Sequence, residues 1–382
     1  MKIYFDNAAT TRLHPQVLEA MLPYLKENFG NPSSIHSFGS TAKVAVEDAR
    51  ETIANIINAD PSEIYFTGSG TEANNFCISG IAQTEFLESS RNHIITSGVE
   101  HKSVLNTAKH LQTQNFEVST VRANKQFEIP HKNIISKIKD STSLLSFMYT
   151  NNETGVISDI KEIRNSLDSN IYLHTDAVQA FGKIKIDVKE LGVDALSTSA
   201  HKIKGPKGIG FAYVKNGTPM NSLIFGGGQE RNRRAGTENV ASIVGFAEAA
   251  NFAYKNIRSN FETIMKLRTY LIDKLNTKIG NININQSENN LPNILSFTFS
   301  PFNYKIDAQD ALMFLDINGI AASSGSACSS GTFNPSHVII GSDHSLDYAN
   351  GTLRFSFSTE NTFEEIDYAI SILEKIAEKY KK

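Results

Sequence analysis

The sequence is poor in cysteine and has no tryptophan, because its 382 residues include only Cys77 and Cys328. Two cysteines cannot build a framework of several disulfides, and no C-x-x-C pair or His/Cys cluster indicates a zinc site. We therefore predict no bound metal and a reducing compartment.

Long apolar runs and a charge excess are also missing. No stretch of 18 apolar residues could span a bilayer, and the first residues lack the apolar segment of a secretory signal. A net charge of −3 and a pI near 6.4 provide no general attraction for nucleic acid. These absences predict a cytoplasmic protein that binds neither membrane nor DNA.

The two cysteines have different surroundings. Cys77 follows Phe76 and precedes Ile78, as expected of a small packing side chain. Cys328 lies in residues 321–331, a run of alanine, serine and glycine that cannot form an apolar face. The pattern indicates a thiol on a loop, with an incidental loop cysteine as the alternative.

Short β-type runs alternate with helical patterns between about residues 60 and 215, which predicts an α/β fold with a mostly parallel sheet. The runs are 63–67, 93–96, 143–148, 171–175, 195–198 and 210–214. A long helical pattern around 245–280 leads into a second region. There we predict a strand over Ile294–Phe299 and a closing helix that a capping box at Thr362 opens.

Polar residues follow each of the first five runs. In open α/β sheets, ligands bind at the carboxyl ends of the strands, so groups that share this edge form one site. The groups are 68–71 (Gly-Ser-Gly-Thr), Glu100 with His101, Asn151 with Asn152, Asp176 with Gln179, and His201 with Lys202. Each group alone is a weak signal, and their shared edge is what predicts a site.

Three of these groups together predict a cofactor. The glycine turn that enters a helix suits one phosphate, and it lacks the Walker pattern of a triphosphate site. Lys202 is either a solvated surface residue or an amine nucleophile, and Asp176 offers a carboxylate for a protonated ring nitrogen. A phosphate cup, an amine and a carboxylate together point to pyridoxal phosphate.

At this level of detail the whole chain resembles the cysteine desulfurases of the class V aminotransferase family, the type with a Ser-Ser-Gly-Ser-Ala-Cys loop. The matching segments are residues 4–11, 30–34, 100–102, 151–155, 176–179, 199–202, 226–230, 234–239 and 323–328. The resemblance implies the architecture of fold-type I pyridoxal-phosphate enzymes. Such enzymes have a mostly parallel central sheet with helices on both faces, and a smaller α+β domain.

The resemblance also implies a role for each matching residue. Lys202 would bind the cofactor covalently and move the substrate Cα proton, and His101 would stack on the pyridine ring and assist proton transfer. Asp176 would hold the ring nitrogen protonated, and Arg354 would bind the substrate carboxylate, although an arginine on a strand is otherwise typical of a surface ion pair. The remaining contacts are Gly70, Thr71, Ser199 and His201 for the phosphate, Asn152 and Gln179 for the ring oxygen or substrate, and Thr237 from a second subunit.

The implied reaction takes sulfur from L-cysteine, releases L-alanine and leaves a persulfide on Cys328. The persulfide would supply an acceptor protein, for iron–sulfur cluster assembly or other sulfur transfer. The resemblance implies a homodimer, a large cofactor domain at 15–257 and a small domain made of 1–14 and 258–382. The arginine-rich stretch 231–234 is better explained by a dimer interface than by RNA, because no aromatic stacking pattern accompanies it.

Alternatives remain open from the sequence. The chain could be a selenocysteine lyase or another class V aminotransferase, or, with less support, a non-catalytic scaffold. Two segments depart from the family pattern, namely residues 339–343 and Ser358, which stands where glycine commonly follows the arginine strand. Both bear on the substrate side of the predicted site rather than on the cofactor side.

Overall fold

A computed structural model describes residues 2–324 and 335–382 of the chain. The strands are β1 (Ile3–Tyr4), β2 (Ile64–Thr67), β3 (His93–Ser97), β4 (Glu117–Val121), β5 (Thr142–Met148), β6 (Tyr172–Asp176), β7 (Ala195–Ser199), β8 (Gly210–Val214), β9 (Ile282–Asn285), β10 (Ile294–Phe299), β11 (Ile320–Ala321) and β12 (Thr352–Ser356).

The helices, with their bounds, are α1 (Pro15–Lys26), α2 (Ser37–Ile57), α3 (Gly70–Ser89), α4 (Lys102–Gln112), α5 (His131–Ile135), α6 (Ile160–Asn165), α7 (Val188–Leu191), α8 (Gln229–Asn232), α9 (Val240–Lys255), α10 (Ile257–Lys274), α11 (Ala308–Ile317), α12 (His337–Gly341), α13 (Leu346–Asn350) and α14 (Phe363–Tyr380). Short 3-10 turns at Pro61–Glu63 and Ala200–Lys202 precede β2 and follow β7.

Seven strands form the central sheet in the order β2-β8-β7-β6-β5-β3-β4. The pairs from β7 to β4 are parallel, while β8 is antiparallel to both β7 and β2. Consequently β2 points the same way as β3, β5, β6 and β7. The five predicted runs therefore end at one edge of the sheet, which confirms the predicted α/β class and mostly parallel sheet.

Helices cover both faces of this sheet, because its central strands are apolar on both sides. On one face α1, α2 and α9 pack with the sheet in one large cluster of buried side chains. On the other face α3 and α4 pack around Phe76, Cys77 and Leu111. None of the helices in the described residues is long and apolar enough to cross a membrane.

A second apolar cluster gathers around a three-stranded antiparallel sheet of order β12-β10-β9. It contains Ile3 and Phe5 from the amino terminus together with apolar residues of α10, α11 and α14. The predicted strand Ile294–Phe299 is β10, and the predicted closing helix is α14, whose capping box joins Thr362 and Glu365. The domain division into 15–257, and 1–14 with 258–382, stays a prediction.

Two local predictions were incomplete. The helical pattern around 245–280 is two helices, because the backbone leaves helical geometry at Asn256 (φ −111°, ψ 9°) between α9 and α10. Strand β4 was not predicted from the sequence. It lies at the sheet edge, and its first four residues, Glu117 to Thr120, are at least partly exposed, so they lack an apolar run.

A buried ion pair holds the segment that begins at α8. Arg50 donates to both carboxylate oxygens of Glu230 at 2.8 and 2.9 Å, and Phe66 N–H donates to the same carboxylate at 2.9 Å. Glu230 and the next two residues have left-handed backbone angles (φ 45°, 55° and 61°), which non-glycine residues adopt at a cost. The ion pair therefore stabilises an unfavourable backbone in the segment that leads to Thr237.

We predict that Glu230→Gln lowers the free energy of unfolding by about 3 kcal/mol, because it leaves the buried Arg50 charge with only the half-exposed Glu47 as a partner. Urea denaturation monitored by circular dichroism measures the change. Glu262→Gln is the matched control, since Glu262 pairs with Arg258 on the surface of α10, and its effect should stay within about 0.5 kcal/mol. Equal effects of the two substitutions would contradict a structural role for the buried pair.

Candidate active site

Lys202 lies in the turn that follows β7, at the carboxyl edge of the central sheet. Its Nζ donates to the backbone oxygens of Ala8 and Ala9, both at 2.7 Å. Burial lowers the pKa of Lys202 to about 8, and the positive charge of Arg354 contributes to this lowering. An amine with this pKa is about half neutral at pH 8, whereas an ordinary lysine is almost fully charged there. Lys202 is therefore suited to act as a nucleophile.

Asp176 ends β6 and is buried. One carboxylate oxygen accepts a hydrogen bond from Val178 N–H at 3.0 Å, and the other accepts from the Asn74 side chain at 2.7 Å. Asn74 lies on α3, which begins at the glycine turn after β2. The structure thus connects the groups that follow β2 and β6.

His101 follows β3 and is the residue that caps the start of α4. Its Nδ1 accepts from Ser103 N–H at 3.1 Å and lies 2.7 Å from the Ser103 hydroxyl. Burial lowers the pKa of His101; the nearby Asp176 opposes this effect, while Lys202 adds to it. The lowered pKa favours the neutral imidazole, although part of the His101 side chain is exposed.

The start of α3 is tightly packed against the end of β7. A Cβ atom on Gly70 would lie 2.8 Å from the Val178 side chain and 3.3 Å from the Ser199 side chain, so a larger residue would not fit. Ser69 caps the helix by accepting from Glu72 N–H at 3.1 Å. Of the two hydroxyl residues here, Ser199 is buried and Thr71 is exposed. The amino-terminal end of α3 favours a bound anion.

Gln179 and His201 border Lys202. Gln179 Nε2 donates to Ala8 O at 2.9 Å, the same oxygen that Lys202 contacts. Burial and the charge of Lys202 lower the pKa of His201 to about 4, and its Nδ1 lies 3.2 Å from the Thr10 hydroxyl. His201 is therefore a neutral hydrogen-bonding group.

Arg354 lies in the middle of β12 and is only 3% exposed. Its guanidinium donates to Asp6 Oδ1 at 2.7 Å and to the backbone oxygen of Asn152 at 2.8 Å. The sequence left open that Arg354 forms an ion pair on the surface, and this alternative is wrong. Arg354 does pair with an acidic residue, but its side chain is buried between the amino terminus and the edge of the central sheet. Asp6 was not singled out from the sequence, although it lies within the first matching segment.

The residues present fit pyridoxal phosphate. Lys202 supplies an amine with a lowered pKa, Asp176 supplies a buried carboxylate, and the start of α3 supplies an anion-binding helix end. Asn152 Oδ1 is buried without a hydrogen-bond partner among the described residues, so an acceptor is available for a bound group. No group of three or more His, Cys, Asp or Glu side chains that could hold a metal occurs in residues 2–324 and 335–382.

Two predicted site residues are not brought into this cluster. Cys328 lies outside the described residues, so its predicted role stays a prediction. The segments beside it contact the site, since Ser323 pairs with Arg354 through backbone hydrogen bonds and His337 Nε2 lies 2.9 Å from the Glu100 backbone oxygen. Thr237 is exposed, and its contact with a second subunit also stays a prediction.

Three comparisons with known proteins identify the same family. A family model described as aminotransferase class-V matches residues 3–369. The chain is 44% identical over 379 residues to a cysteine desulfurase IscS of Clostridium botulinum, covering 98% of this chain and 94% of that protein. It is 43% identical over 379 residues to a cysteine desulfurase IscS of Methanosarcina thermophila, covering 99% and 92%.

A solved NifS-like protein superposes with a TM-score of 0.91 at 36% identity, over 99% of this chain and 100% of the other. The chain therefore belongs to the class V aminotransferase family and, within it, to the cysteine desulfurases. Enzymes of this family depend on pyridoxal phosphate, in agreement with the fit of the site.

The burial of Cys77 leads to a labelling prediction. Burial raises the pKa of the Cys77 thiol to about 12, so almost no reactive thiolate exists at pH 8. We expect Cys328→Ser to bind no thiol reagent in the native state at pH 8 and one equivalent in denaturant, as mass spectrometry would measure. Cys77→Ala is the control and should bind one equivalent in denaturant. Rapid native labelling of Cys77 would contradict its inert, structural role.

Proposed function

We propose that this cysteine desulfurase holds pyridoxal phosphate on Lys202, removes sulfur from L-cysteine, and passes it through a persulfide on Cys328. The observation that carries the proposal is the lowered pKa of the buried Lys202 amine, at the same sheet edge as Asp176 and His101. The relatives named cysteine desulfurase support the activity, and a similar protein, SspA, has been solved in complex with cysteine.

The cofactor would be held by residues from five strand ends. Lys202 would bind it covalently, Asp176 would hold its ring nitrogen protonated, and His101 would stack on its ring. Its phosphate would contact Gly70, Thr71, Ser199 and His201, and its ring oxygen Asn152 and Gln179. When bound, pyridoxal phosphate supplies an electron sink that makes the substrate Cα proton acidic and the Cβ–S bond labile.

The chain's own residues would then orient the substrate and move its protons. The Arg354 guanidinium would bind the substrate carboxylate, a task that suits its planar donor geometry. Asp6 holds the guanidinium in place at 2.7 Å, so its position does not depend on substrate. Once displaced by the substrate amine, Lys202 Nζ would take the Cα proton, because its lowered pKa leaves a large neutral fraction near pH 8.

The sulfur transfer balances without an external oxidant. The substrate Cβ–S bond breaks and an S–S bond forms to Cys328, so cysteine and one enzyme thiol become alanine and one enzyme persulfide. The Cys328 thiol must first lose its proton, since the thiolate is the nucleophile.

The wider setting is also part of the proposal. A second copy of the chain would complete each site with Thr237, giving a homodimer. The Cys328 persulfide would be delivered in the cytoplasm to an acceptor protein, an iron–sulfur scaffold or another sulfur carrier.

We predict that the protein loaded with pyridoxal phosphate forms one alanine per persulfide when L-cysteine is added in the absence of reductant. With a thiol reductant added to release the sulfur, Cys328→Ser should lower steady-state alanine formation at least about 100-fold, because no enzyme thiol receives the sulfur. Cys77→Ala is the matched cysteine control and should retain the wild-type rate. Amino-acid analysis and persulfide-specific mass spectrometry provide the two readouts.

The same experiment separates the alternatives. Full activity in Cys328→Ser would contradict the persulfide route and favour an aminotransferase or selenocysteine lyase. No alanine from the loaded wild type would contradict the proposed activity as a whole.

We predict that covalent loading of the cofactor becomes faster as the pH rises through about 8, because only the neutral Lys202 amine can attack its aldehyde. Visible absorbance of the bound cofactor would follow loading, and borohydride reduction with peptide mapping would locate the modified lysine. Lys183 is the internal control, because burial lowers its pKa to about 7 and yet its Nζ is bound to Gln179 at 2.9 Å. Modification of Lys183 instead of Lys202 would contradict the assignment.

A further inference from the structure

We propose that Asn74 and Ser103 are positioning residues that hold His101 with its proton on Nε2 and connect its ring to Asp176. The inference rests on the proposed function, because His101 and Asp176 are assigned to the cofactor there. Neither Asn74 nor Ser103 was identified from the sequence. We call the hydrogen-bonded series Asp176, Asn74, Ser103 and His101 the Asn–Ser relay.

The relay is continuous, and three of its four residues, Asp176, Asn74 and Ser103, are buried. The Asn74 amide nitrogen donates to Asp176 Oδ2 at 2.7 Å and to the Ser103 hydroxyl oxygen at 2.8 Å. The Ser103 hydroxyl lies 2.7 Å from His101 Nδ1. Asn74 is 1% exposed and Ser103 is 7% exposed, so water cannot readily replace either contact. The relay joins groups from the ends of β3 and β6 through α3 and α4.

The charge of Asp176 fixes the orientation of the Asn74 amide. Asparagine oxygen and nitrogen atoms look alike, so their assignment depends on the hydrogen-bond network. A flipped amide would place Oδ1 against a carboxylate oxygen, and two acceptors repel at 2.7 Å. In the observed orientation, Oδ1 is buried without a partner among the described residues, which costs free energy. The charge-assisted bond to Asp176 offsets this cost.

The backbone N–H of Ser103 then sets the direction of the hydrogen bond between the Ser103 hydroxyl and the ring. The Ser103 oxygen accepts from Asn74, which leaves its single hydrogen free to be donated. His101 Nδ1 already accepts from Ser103 N–H at 3.1 Å, so this ring nitrogen carries no proton. The Ser103 hydroxyl must therefore be the donor to Nδ1. In the neutral ring the proton lies on Nε2.

This arrangement opposes protonation of the ring. An imidazolium would place an N–H at Nδ1 against two donors, so the relay stabilises the neutral form and lowers the pKa of His101. Other charges also act on the ring from the elements around it. These are Asp176 on β6, Lys202 after β7, His337 on α12 and Lys102 on α4, of which Asp176 alone favours the charged form.

The relay defines what His101 can do. Its basic nitrogen, Nδ1, is occupied by Ser103, so the neutral ring cannot accept a proton there without breaking the network. Its Nε2–H can donate a hydrogen bond. His101 thus serves as a donor, and the removal of the substrate proton is left to Lys202.

Histidine NMR of the protein without cofactor tests the inference directly. With ring-¹⁵N-labelled histidine, His101→Gln identifies the His101 signals, and the ¹⁵N shifts report which nitrogen carries the proton. We expect a neutral Nε2–H ring in the wild type. Ser103→Ala should raise the pKa of His101 by about 0.5–1 unit, since one donor to the neutral ring is lost without any change of charge. The Ser103 N–H remains in that variant, so the ring should keep its place.

Asn74→Asp provides a reversal of the relay. A carboxyl group at position 74 would share one proton with Asp176 across their 2.7 Å contact and accept from the Ser103 hydroxyl. The hydroxyl then donates away from the ring and offers its lone pairs to a ring N–H, so the pKa of His101 should rise further. Asn75→Asp is the matched control, because Asn75 neighbours Asn74 on α3 and its amide donates only to Thr71 O on the exposed side of the helix. It introduces the same side chain one position along α3 and should leave the His101 signals unchanged.

An Nδ1–H ring in the wild type would overturn the inference, as would an unchanged pKa of His101 in Ser103→Ala. If Asn74→Asp does not fold, Ser103→Ala alone decides, because it removes one buried oxygen. The spectra require neither cofactor nor substrate, so they test the relay separately from the proposed function. The relay can be contradicted while the wild type still forms alanine, and the relay can be supported while the wild type forms none. In the loaded enzyme, the acidic limb of the pH profile for alanine formation should shift upwards with the pKa of His101 in Ser103→Ala.

Discussion

The direction of the strands in the central sheet is the constraint on which the site depends. Because β2, β3, β5, β6 and β7 run the same way, the short segments that follow them meet at one edge. Neighbouring parallel strands lie about 5 Å apart, so residues at their ends come within reach of one hydrogen-bonded network. Residues as distant in sequence as Asn74 and Asp176 are thereby brought to 2.7 Å from each other. The packing around this edge buries Asp176 and Arg354, half-buries Lys202 and leaves His101 exposed.

Burial acts on each ionisable group according to the partners available to it. The Arg354 guanidinium lies 2.7 Å from Asp6, and the Asp176 carboxylate accepts hydrogen bonds from two donors. Lys202 donates to backbone oxygens, which carry no full charge, and its pKa falls to about 8. Those oxygens belong to the amino-terminal segment, whose Phe5 packs in the second apolar cluster. The same short segment therefore contacts both Lys202 and Arg354, and it packs in the second apolar cluster.

Sequence patterns were sufficient where one physical rule dominates. Apolar runs predicted the buried strands, and their shared direction brought His101, Asp176 and Lys202 to one edge, while the capping box at Thr362 predicted the start of α14. The patterns failed for edge strand β4, where partial exposure removes the apolar signal. They also missed Asn74 and Ser103, because an asparagine inside a helix and a serine after a cap are common at surfaces. Only the packing of α3 and α4 against the strand ends makes these two side chains buried and specific.

The Asn–Ser relay shows how one sheet edge can hold several ionisable groups without the charge of one neutralising the charge of another. A buried site tolerates an ion only when hydrogen bonds or an opposite charge stabilise it. Asp176 and Arg354 satisfy this condition, whereas a charged His101 would face Lys202 on one side and two donors at Nδ1 on the other. A neutral imidazole would leave the negative charge of Asp176 available for the ring nitrogen of the proposed cofactor instead of an imidazolium. The directions of the hydrogen bonds made by two uncharged side chains, Asn74 and Ser103, thus decide which groups of the site can carry a charge.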